Sequence, residues 1–298
     1  MTAPQFGRVL TAMVTPFAPD GSVDFDVAIE LAEHLIAQGS DGLVLAGSTG
    51  EGSALSDQEK LELFACVAGA FEVPVLAGTS CADTARSVAL TSQVAATGAS
   101  GILATTPSYA RPSQAGIAAH LGAVAESTEL PVMLYDIPSR TGRKIAASTT
   151  IDLVRSHSNI TALKDASGDL VSAAHLKAVL GDALDLYSGD DALVLPFMAI
   201  GAVGLVSVAA HWAGPEFAAL VQSVVRGDWP EARRLNELLV ESCAFEGTEA
   251  HPNPMPSKAV LRALGINVGQ CRLPHPASDP ALDAAATALV ATLRAARA

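Results

Sequence analysis

The sequence predicts a TIM (β/α)8 barrel with an appended C-terminal helical bundle. The chain has 298 residues, half of them hydrophobic, which is enough for a single α/β barrel with a large core. Short apolar runs recur eight times, and stretches with helical periodicity separate them. The runs are apolar at consecutive positions, as in parallel strands that are covered on both faces.

The eight predicted strands follow one another along the first two thirds of the chain. They cover residues 9–16, 42–47, 74–79, 101–107, 132–138, 160–166, 184–190 and 204–210. An open, doubly wound sheet would show the same alternation. Such a sheet usually carries a nucleotide-binding fingerprint after its first strand, and this sequence has none there.

Helical patterns fill the segments between the strands, for example 25–39, 57–71 and 84–98. Ser56 and Glu59 have the spacing of a capping box at the start of the second of these helices. Gly39 and Gly98 stand where a helix end favours a residue with positive φ. Local signals therefore agree with the alternating pattern.

After Pro215 the pattern is predicted to be entirely helical through residue 297. We therefore expect a barrel over residues 1–214, with its last helix continuing to about residue 228. Residues 229–298 form a helical extension packed on the barrel, without a linker rich in Pro or Ser before it.

Composition excludes several classes of partner. The formal charge of −13 disfavours nucleic acid and anionic membranes, because both reward clustered Lys and Arg. The N-terminal sequence MTAPQFGRVL lacks the layout of a signal peptide, and no apolar run is long enough for a membrane helix. These features predict a cytoplasmic protein.

Neither disulfides nor a metal site is expected. The four cysteines are scattered without a C-x-x-C pair: Cys66, Cys81, Cys243 and Cys271. The seven histidines show neither H-x-H nor H-E-x-x-H spacing.

A glycine-rich turn, LAGSTGEGS, follows the second predicted strand. Gly47 and Gly52 have the spacing of a P-loop, but Ser53 stands where that motif has lysine. Glu51 within the turn would also repel phosphate. A smaller anion such as a carboxylate remains a possible ligand for the free amides.

Lys164 is the most informative of the five lysines. It ends the sixth predicted strand, at the edge of a barrel where working residues cluster. Burial there disfavours the protonated amine, and a neutral amine can form a Schiff base with a ketone. An ion pair with Asp165 is the alternative. The other four lysines fall in helical or loop patterns and are interpreted as solvated: Lys60, Lys144, Lys177 and Lys258.

Three further side chains follow predicted strands. Arg140 has the planar group suited to bidentate capture of a carboxylate, although a surface arginine is the alternative. Tyr109 and Tyr135 can carry protons if neighbouring hydroxyls tune them. Packing of either ring with an exposed hydroxyl is the ordinary interpretation.

Six ordered motifs resemble the dihydrodipicolinate synthase family, within the superfamily that includes N-acetylneuraminate lyase. The motifs are GSTGE, TPSYARPSQAG, YDIPSRTG, ALKDASGD, YSGDDAL and HPNPMPSKAVLRALGI. The resemblance covers nearly the whole chain. It implies a class I aldolase that condenses pyruvate with L-aspartate 4-semialdehyde in the diaminopimelate and lysine pathway, with no cofactor beyond an imine to the enzyme.

The resemblance also implies roles for individual residues. Lys164 would form the imine and Tyr135 would transfer protons beside it. Ser48 and Tyr109 would complete a proton relay. The substrate-binding residues would be Thr49 for pyruvate, Arg140 for the aldehyde's carboxylate, and Gly189 and Val206 at the pyruvate end of the pocket.

Family members form oligomers in which the tyrosine matching Tyr109 reaches a neighbouring site. The resemblance thus implies a homotetramer, built as a dimer of dimers with Tyr109 crossing an interface.

Two departures from the family pattern affect these expectations. Ser48 replaces a usual threonine, and Ser108 replaces a tyrosine frequent before the relay tyrosine. The positions matching the lysine feedback site hold Asp57, Lys60, Ala82 and Arg86. Because added cations repel an ammonium ligand, we expect weak or absent inhibition by lysine.

Two other functions fit the sequence. One is a different pyruvate aldolase of the same superfamily, acting on another aldehyde or a sugar acid. The other is a non-catalytic barrel that binds a small carboxylate. The fold alone does not separate them, because TIM barrels support many activities.

Overall fold

Eight parallel strands close into a barrel in the computed structural model, which describes residues 4–297. Each strand pairs with the next one in sequence, and β1 pairs with β8. The strands are β1 Val9–Ala12, β2 Gly42–Leu45, β3 Val75–Gly78, β4 Gly101–Thr105, β5 Val132–Asp136, β6 Ile160–Asp165, β7 Asp185–Ser188 and β8 Gly204–Ser207. The predicted fold class is confirmed. Each strand lies within its predicted run and is shorter than it.

Twelve α-helices surround and extend the barrel within the described residues. They are α1 Phe25–Ala37, α2 Asp57–Ala70, α3 Thr84–Val94, α4 Gln114–Glu126, α5 Pro138–Thr141, α6 Ala147–Ser156, α7 Leu170–Leu180, α8 Val194–Ala199, α9 Ala210–Val225, α10 Trp229–Phe245, α11 Met255–Leu264 and α12 Pro280–Arg297.

The local signals in the sequence match the observed helix ends. Ser56 caps α2 with the reciprocal bonds of a capping box, since its hydroxyl accepts from the Glu59 amide and the Glu59 carboxylate accepts from the Ser56 amide. Gly39 and Gly98 have φ values of 100° and 82°. Both therefore occupy the left-handed region that ends a helix most easily at glycine.

Two layers of apolar side chains stabilise the barrel. One cluster lies between the strands and the outer helices. A smaller one fills the interior and includes Leu10, Met133, Tyr187 and Val206, all buried. Phe6 closes the lower end so tightly that a Cβ at Gly101 would lie 2.8 Å from its ring. The interior is therefore packed below the mouth, and the open space is at the carboxyl ends of the strands.

The pairing of β5 with β6 contains an irregularity that positions the mouth residues. Val132 pairs with Ile160, whereas Met133 pairs with Ala162, so the register shifts by one residue. The shift brings Tyr135 opposite Lys164. Without the shift, Tyr135 would pair with Leu163. The side chains of Tyr135 and Lys164 would then not stand side by side on the same face of the sheet.

The prediction of an entirely helical pattern from Pro215 to residue 297 is wrong for the short turn 226–228 and for two longer segments, 246–254 and 265–279. Gly247, Pro252 and Pro254 interrupt the first segment, while Gly265 and Gly269 adopt positive φ in the second. These loops return to the barrel mouth. The proposed division into residues 1–214 and 229–298 stays a prediction.

Between residues 4 and 297, no helix is both long and apolar enough to cross a membrane.

Candidate active site

A cavity of about 480 Å³ opens at the carboxyl ends of the strands. Three of the predicted site residues line it: Ser48, Tyr135 and Arg140. Cavities of this size suit small ligands, and the position matches the working face of α/β barrels. The strand ends thus bring together a residue of β5 with residues from the segments that follow β2 and β5.

Lys164 lies at the end of β6 with only 4% of its surface exposed. Its Nζ is 4.3 Å from the ring centroid of Tyr135, which is 5% exposed. Within residues 4–297 the Lys164 ammonium makes no hydrogen bond or ion pair. The alternative of a pair with Asp165 is not observed, because that carboxylate accepts from the amide and hydroxyl of Ser167 instead.

The space beside Lys164 depends on Gly189. A Cβ at Gly189 would lie 2.9 Å from Cγ of Lys164 and 2.9 Å from Cβ of Ala166. Val206 is fully buried in the barrel interior, on the strand next to β7. Gly189 thus lies beside the Lys164 side chain, and Val206 lies in the packed interior of the barrel; their roles at the pyruvate end of a pocket stay predictions.

The glycine-rich turn after β2 is folded tightly on itself. A Cβ at Gly52 would lie 2.0 Å from the Ala46 carbonyl oxygen, and one at Gly50 would lie 2.9 Å from the Ala46 nitrogen. The amides of Ser48, Thr49 and Gly50 donate no hydrogen bond within the described part of the chain. Free amides at such a turn can bind a small anion.

The Glu51 carboxylate is paired within the protein. It lies 2.7 Å from the Lys258 ammonium, with the two side chains 2% and 1% exposed respectively. It also accepts from the Arg272 amide at 2.8 Å. The Glu51 charge, which the sequence suggested would repel phosphate, is balanced by Lys258 of the C-terminal extension.

The extension also supplies Asn253, a residue to which the sequence assigned no role. Its side-chain amide donates to the Thr49 hydroxyl at 2.9 Å, and its backbone carbonyl accepts from the Arg140 guanidinium at 3.3 Å. Asn253 therefore links the cradle to the predicted binding residue for the second carboxylate. The signal was present in the motif HPNPMPSK, which the resemblance already contained.

Five predicted site residues are not among those that line the cavity: Lys164, Thr49, Gly189, Val206 and Tyr109. Of these, Tyr109 is the one with an exposed side chain. It is 97% exposed and has φ of 67°, a costly value for a residue with a Cβ. Ser108 lines the cavity, but Tyr109 does not. Within a single chain no hydrogen bond joins the described Tyr109, Tyr135 and Ser48 side chains.

Asp136 and Lys144 support the site from the outer face of the barrel. Burial raises the pKa of Asp136 to about 6, against the opposing effect of the Ile145 amide. The Lys144 ammonium donates to the Ser167 hydroxyl at 2.7 Å and lies 3.3 Å from Asp136. The polar network therefore lies directly behind Tyr135, on the neighbouring residue of the same strand.

Two lysines interpreted as solvated are buried. Lys60 is 3% exposed and Lys258 is 1% exposed. Burial lowers the pKa of each, and nearby Asp57 and Glu51 respectively oppose that effect. Lys60 lies on the face of α2 that also buries Leu63, Phe64 and Val67, and Lys258 lies among buried neighbours in α11.

The chain matches known proteins over nearly all its length. A model of the "Dihydrodipicolinate synthetase family" matches residues 5–295. A Synechococcus sp. (strain CC9605) protein named "4-hydroxy-tetrahydrodipicolinate synthase" is 46% identical over 272 residues, covering 90% of this chain and 89% of that one. A Parasynechococcus marenigrum protein of the same name is 44% identical, with 98% and 96% covered.

Solved structures agree with this likeness. The structure of "DHDPS from Cyanidioschyzon merolae with lysine bound" is 40% identical, with a TM-score of 0.92 and 96% and 97% of the two chains covered. The structure of "Dihydrodipicolinate Synthase DapA-2" from Bacillus anthracis is 37% identical, with a TM-score of 0.91 and 96% and 98% covered.

Proposed function

The chain belongs to the dihydrodipicolinate synthetase family, and we propose that it condenses pyruvate with L-aspartate 4-semialdehyde, as a 4-hydroxy-tetrahydrodipicolinate synthase does. The observation that supports this most strongly is the Lys164 amine, buried at the end of β6 beside Tyr135 and free of any carboxylate partner within residues 4–297. A lysine amine that no carboxylate holds in place is available to attack a ketone.

In this proposal Lys164 attacks the ketone carbon of pyruvate and water leaves, giving an imine. The imine withdraws electrons from the methyl carbon, which loses a proton and becomes an enamine. That carbon then attacks the aldehyde carbon of the second substrate, and the aldehyde oxygen takes up a proton. The amino group of this substrate displaces the Lys164 amine from the imine carbon as the ring closes. The electron sink is the covalent imine, so the proposal involves no dissociable cofactor or metal.

Tyr135 is proposed to move protons in these steps. Its ring packs against the Lys164 ammonium at 4.3 Å, which keeps the phenol beside the reacting carbon. Ser48 lines the same cavity and has a hydroxyl that could receive a proton from the phenol. A relay through these groups still requires a connection to solvent.

Tyr109 is proposed to make that connection in a neighbouring subunit. The Tyr109 ring is 97% exposed, and its backbone has a positive φ. Both the exposed aromatic surface and the backbone conformation cost free energy in an isolated chain. A tetramer assembled as a dimer of dimers would bury this ring and complete two sites at each close interface. The cytoplasmic location expected from the sequence stays a prediction.

The carboxylates of the two substrates are proposed to bind at separate places. Pyruvate's carboxylate would accept hydrogen bonds from the free amides of Ser48 and Thr49 and from the Thr49 hydroxyl. The Thr49 oxygen accepts from the Asn253 side chain, which leaves the hydroxyl hydrogen free to donate to the carboxylate. The aldehyde's carboxylate would bind Arg140, which lines the cavity from α5.

Steady-state kinetics with Arg140→Ala tests the choice of aldehyde. Loss of a charged hydrogen-bond pair costs about 1.5–3 kcal/mol, so kcat/KM for the semialdehyde should fall by about 10- to 100-fold. The KM for pyruvate should change little. Arg155→Ala, on the exposed surface of α6, is the matched control.

An unchanged kcat/KM for the semialdehyde in Arg140→Ala would contradict the assignment. A screen of pyruvate with other aldehydes would then identify another aldolase of the superfamily. A carboxylate-binding barrel without activity would turn over none of them.

A further inference from the structure

The cavity is also lined by a second group of side chains, which we call the basic lobe. It is formed by Lys60, Ser80, Cys81 and Arg86, all of which line the cavity. Lys60 comes from α2, while the other three come from the loop after β3 and the start of α3. No step of the proposed reaction uses these residues.

Lys60 is buried without a partner. It is 3% exposed, yet its ammonium makes no hydrogen bond or ion pair with any residue between 4 and 297. Lys258 shows how this chain otherwise accommodates a buried lysine. That ammonium lies 2.7 Å from the Glu51 carboxylate and donates to the Gln270 carbonyl at 3.0 Å.

The nearest carboxylate is already committed to another cation. Asp57 accepts two hydrogen bonds from the Arg86 guanidinium, both at 2.9 Å. Because Arg86 and Asp57 neutralise each other in this bidentate pair, the positive charge of Lys60 is left without a counter-charge in the basic lobe. Burial lowers the pKa of Lys60. The Arg86 charge adds to this effect, and the Asp57 charge only partly opposes it.

Ser80 adds a donor to the same region. Its Oγ accepts a hydrogen bond from the Thr105 amide at 2.7 Å, so the hydroxyl hydrogen is directed elsewhere. An ammonium and a hydroxyl that both retain free hydrogens are complementary to an oxyanion. They offer nothing favourable to a cation.

We propose that the basic lobe binds a small oxyanion, a carboxylate or a phosphate group, through Lys60 and Ser80. The bound anion supplies the missing counter-charge and makes protonated Lys60 favourable inside the cavity. This site uses residues other than Ser48 and Thr49, and binding there does not depend on the proposed reaction. In a chain with a formal charge of −13, a locally positive cavity is selective for anions.

Isothermal titration calorimetry tests the proposal. Inorganic phosphate and malonate are titrated separately into protein saturated with pyruvate, so that the catalytic cradle is already occupied. We expect one anion per chain, bound in the millimolar range or tighter. The probe that binds more tightly shows whether phosphate or carboxylate is preferred.

Substitutions assign the binding to Lys60. Lys60→Met should weaken the preferred anion by about tenfold or more, whereas Lys60→Arg should retain most of the affinity. Lys177→Met is the matched control, because that ammonium donates to the Gly181 carbonyl and lies outside the cavity. Equal affinity in Lys60→Met and the wild type would overturn the proposal.

Cys81 provides a test that needs no variant. The thiol lines the basic lobe, so the rates at which iodoacetate and iodoacetamide alkylate it compare an anion with a neutral reagent. We expect the ratio of the two rates to be higher at Cys81 than at Cys66, and to fall when phosphate is added. A ratio no higher than that at Cys66 would contradict an anion-binding lobe.

A second copy of the chain is the other conceivable source of the missing carboxylate. In that case Lys60→Met would shift the oligomeric state in light scattering, and neither probe would bind the wild type. That combination would also overturn the proposal.

Discussion

The Lys258 ammonium lies 2.7 Å from the Glu51 carboxylate, with both side chains almost fully buried. This pair joins α11 of the C-terminal extension to the turn that holds the proposed pyruvate cradle. Glu51 has φ of 53°, so the pair also holds a residue in an unfavourable backbone conformation. The extension thus stabilises the active-site turn from behind.

Lys258→Met should destabilise the protein strongly, because it leaves a buried carboxylate without its cation. Removal of one partner of a buried pair costs about 3–5 kcal/mol. Urea unfolding should show this loss, and Lys258→Met combined with Glu51→Gln should recover part of it. Lys177→Met, in which a more exposed lysine is removed, should cost about 1 kcal/mol or less. Equal effects of the two lysine substitutions would refute the interpretation.

Gly189→Ala should impair catalysis without unfolding the barrel. The added Cβ would lie 2.9 Å from Cγ of Lys164 and must displace that side chain. Since misplacement of a reacting group by about 1 Å can lower a rate about 100-fold, kcat should fall by about that factor. Gly69→Ala is the control, because nothing lies within 4 Å of a Cβ there. Full activity of Gly189→Ala would show that Lys164 has other room to move.

Asp136 should make stability depend on pH between about 4 and 6. Its folded-state pKa of about 6 lies above the ordinary 3.8, so the folded protein holds a proton that the unfolded chain releases in this window. The free energy of unfolding therefore falls as pH rises through it, by about 3 kcal/mol in total.

Asp136→Asn removes this titration while keeping an acceptor for the Ile145 amide. The stability of the wild type minus that of the variant should thus decrease from pH 4 to pH 7, as measured by urea unfolding. Other ionisable groups cancel in the difference. A difference that does not change with pH would mean that Asp136 keeps its charge throughout.

L-Lysine should inhibit weakly or not at all. Lys60 and Arg86 stand at positions that match the lysine feedback site of the family, and both line the cavity. Their positive charges would repel the ammonium groups of L-lysine. Initial rates with L-lysine added up to the millimolar range should stay close to the uninhibited value. A clear saturating inhibition curve in that range would contradict this prediction.

The barrel could be predicted from the sequence because it depends on a local pattern. Apolar runs and capping signals, such as the box formed by Ser56 and Glu59, act over a few residues. Lys164 and Tyr135 could be placed at strand ends for the same reason. Their alignment could not, since it depends on the register shift after Val132, which no local signal in the sequence marks.

The burial of Lys60 and Lys258 was also inaccessible from the sequence. Lys258 is paired with Glu51, far away along the chain, and the pair forms only when the extension packs on the barrel mouth. Asn253 was missed for the same reason, since its contacts with Thr49 and Arg140 are made by a loop that the helical pattern did not predict. Long-range polar contacts are set by tertiary packing rather than by periodicity.

Reduction with borohydride in the presence of pyruvate tests the central claim most directly. Peptide mass spectrometry should find the reduced pyruvate adduct on Lys164, and Lys164→Ala should yield none. The other buried amines, Lys60 and Lys258, should remain unmodified. An unmodified Lys164 after treatment, or an adduct on a different lysine, would contradict the account.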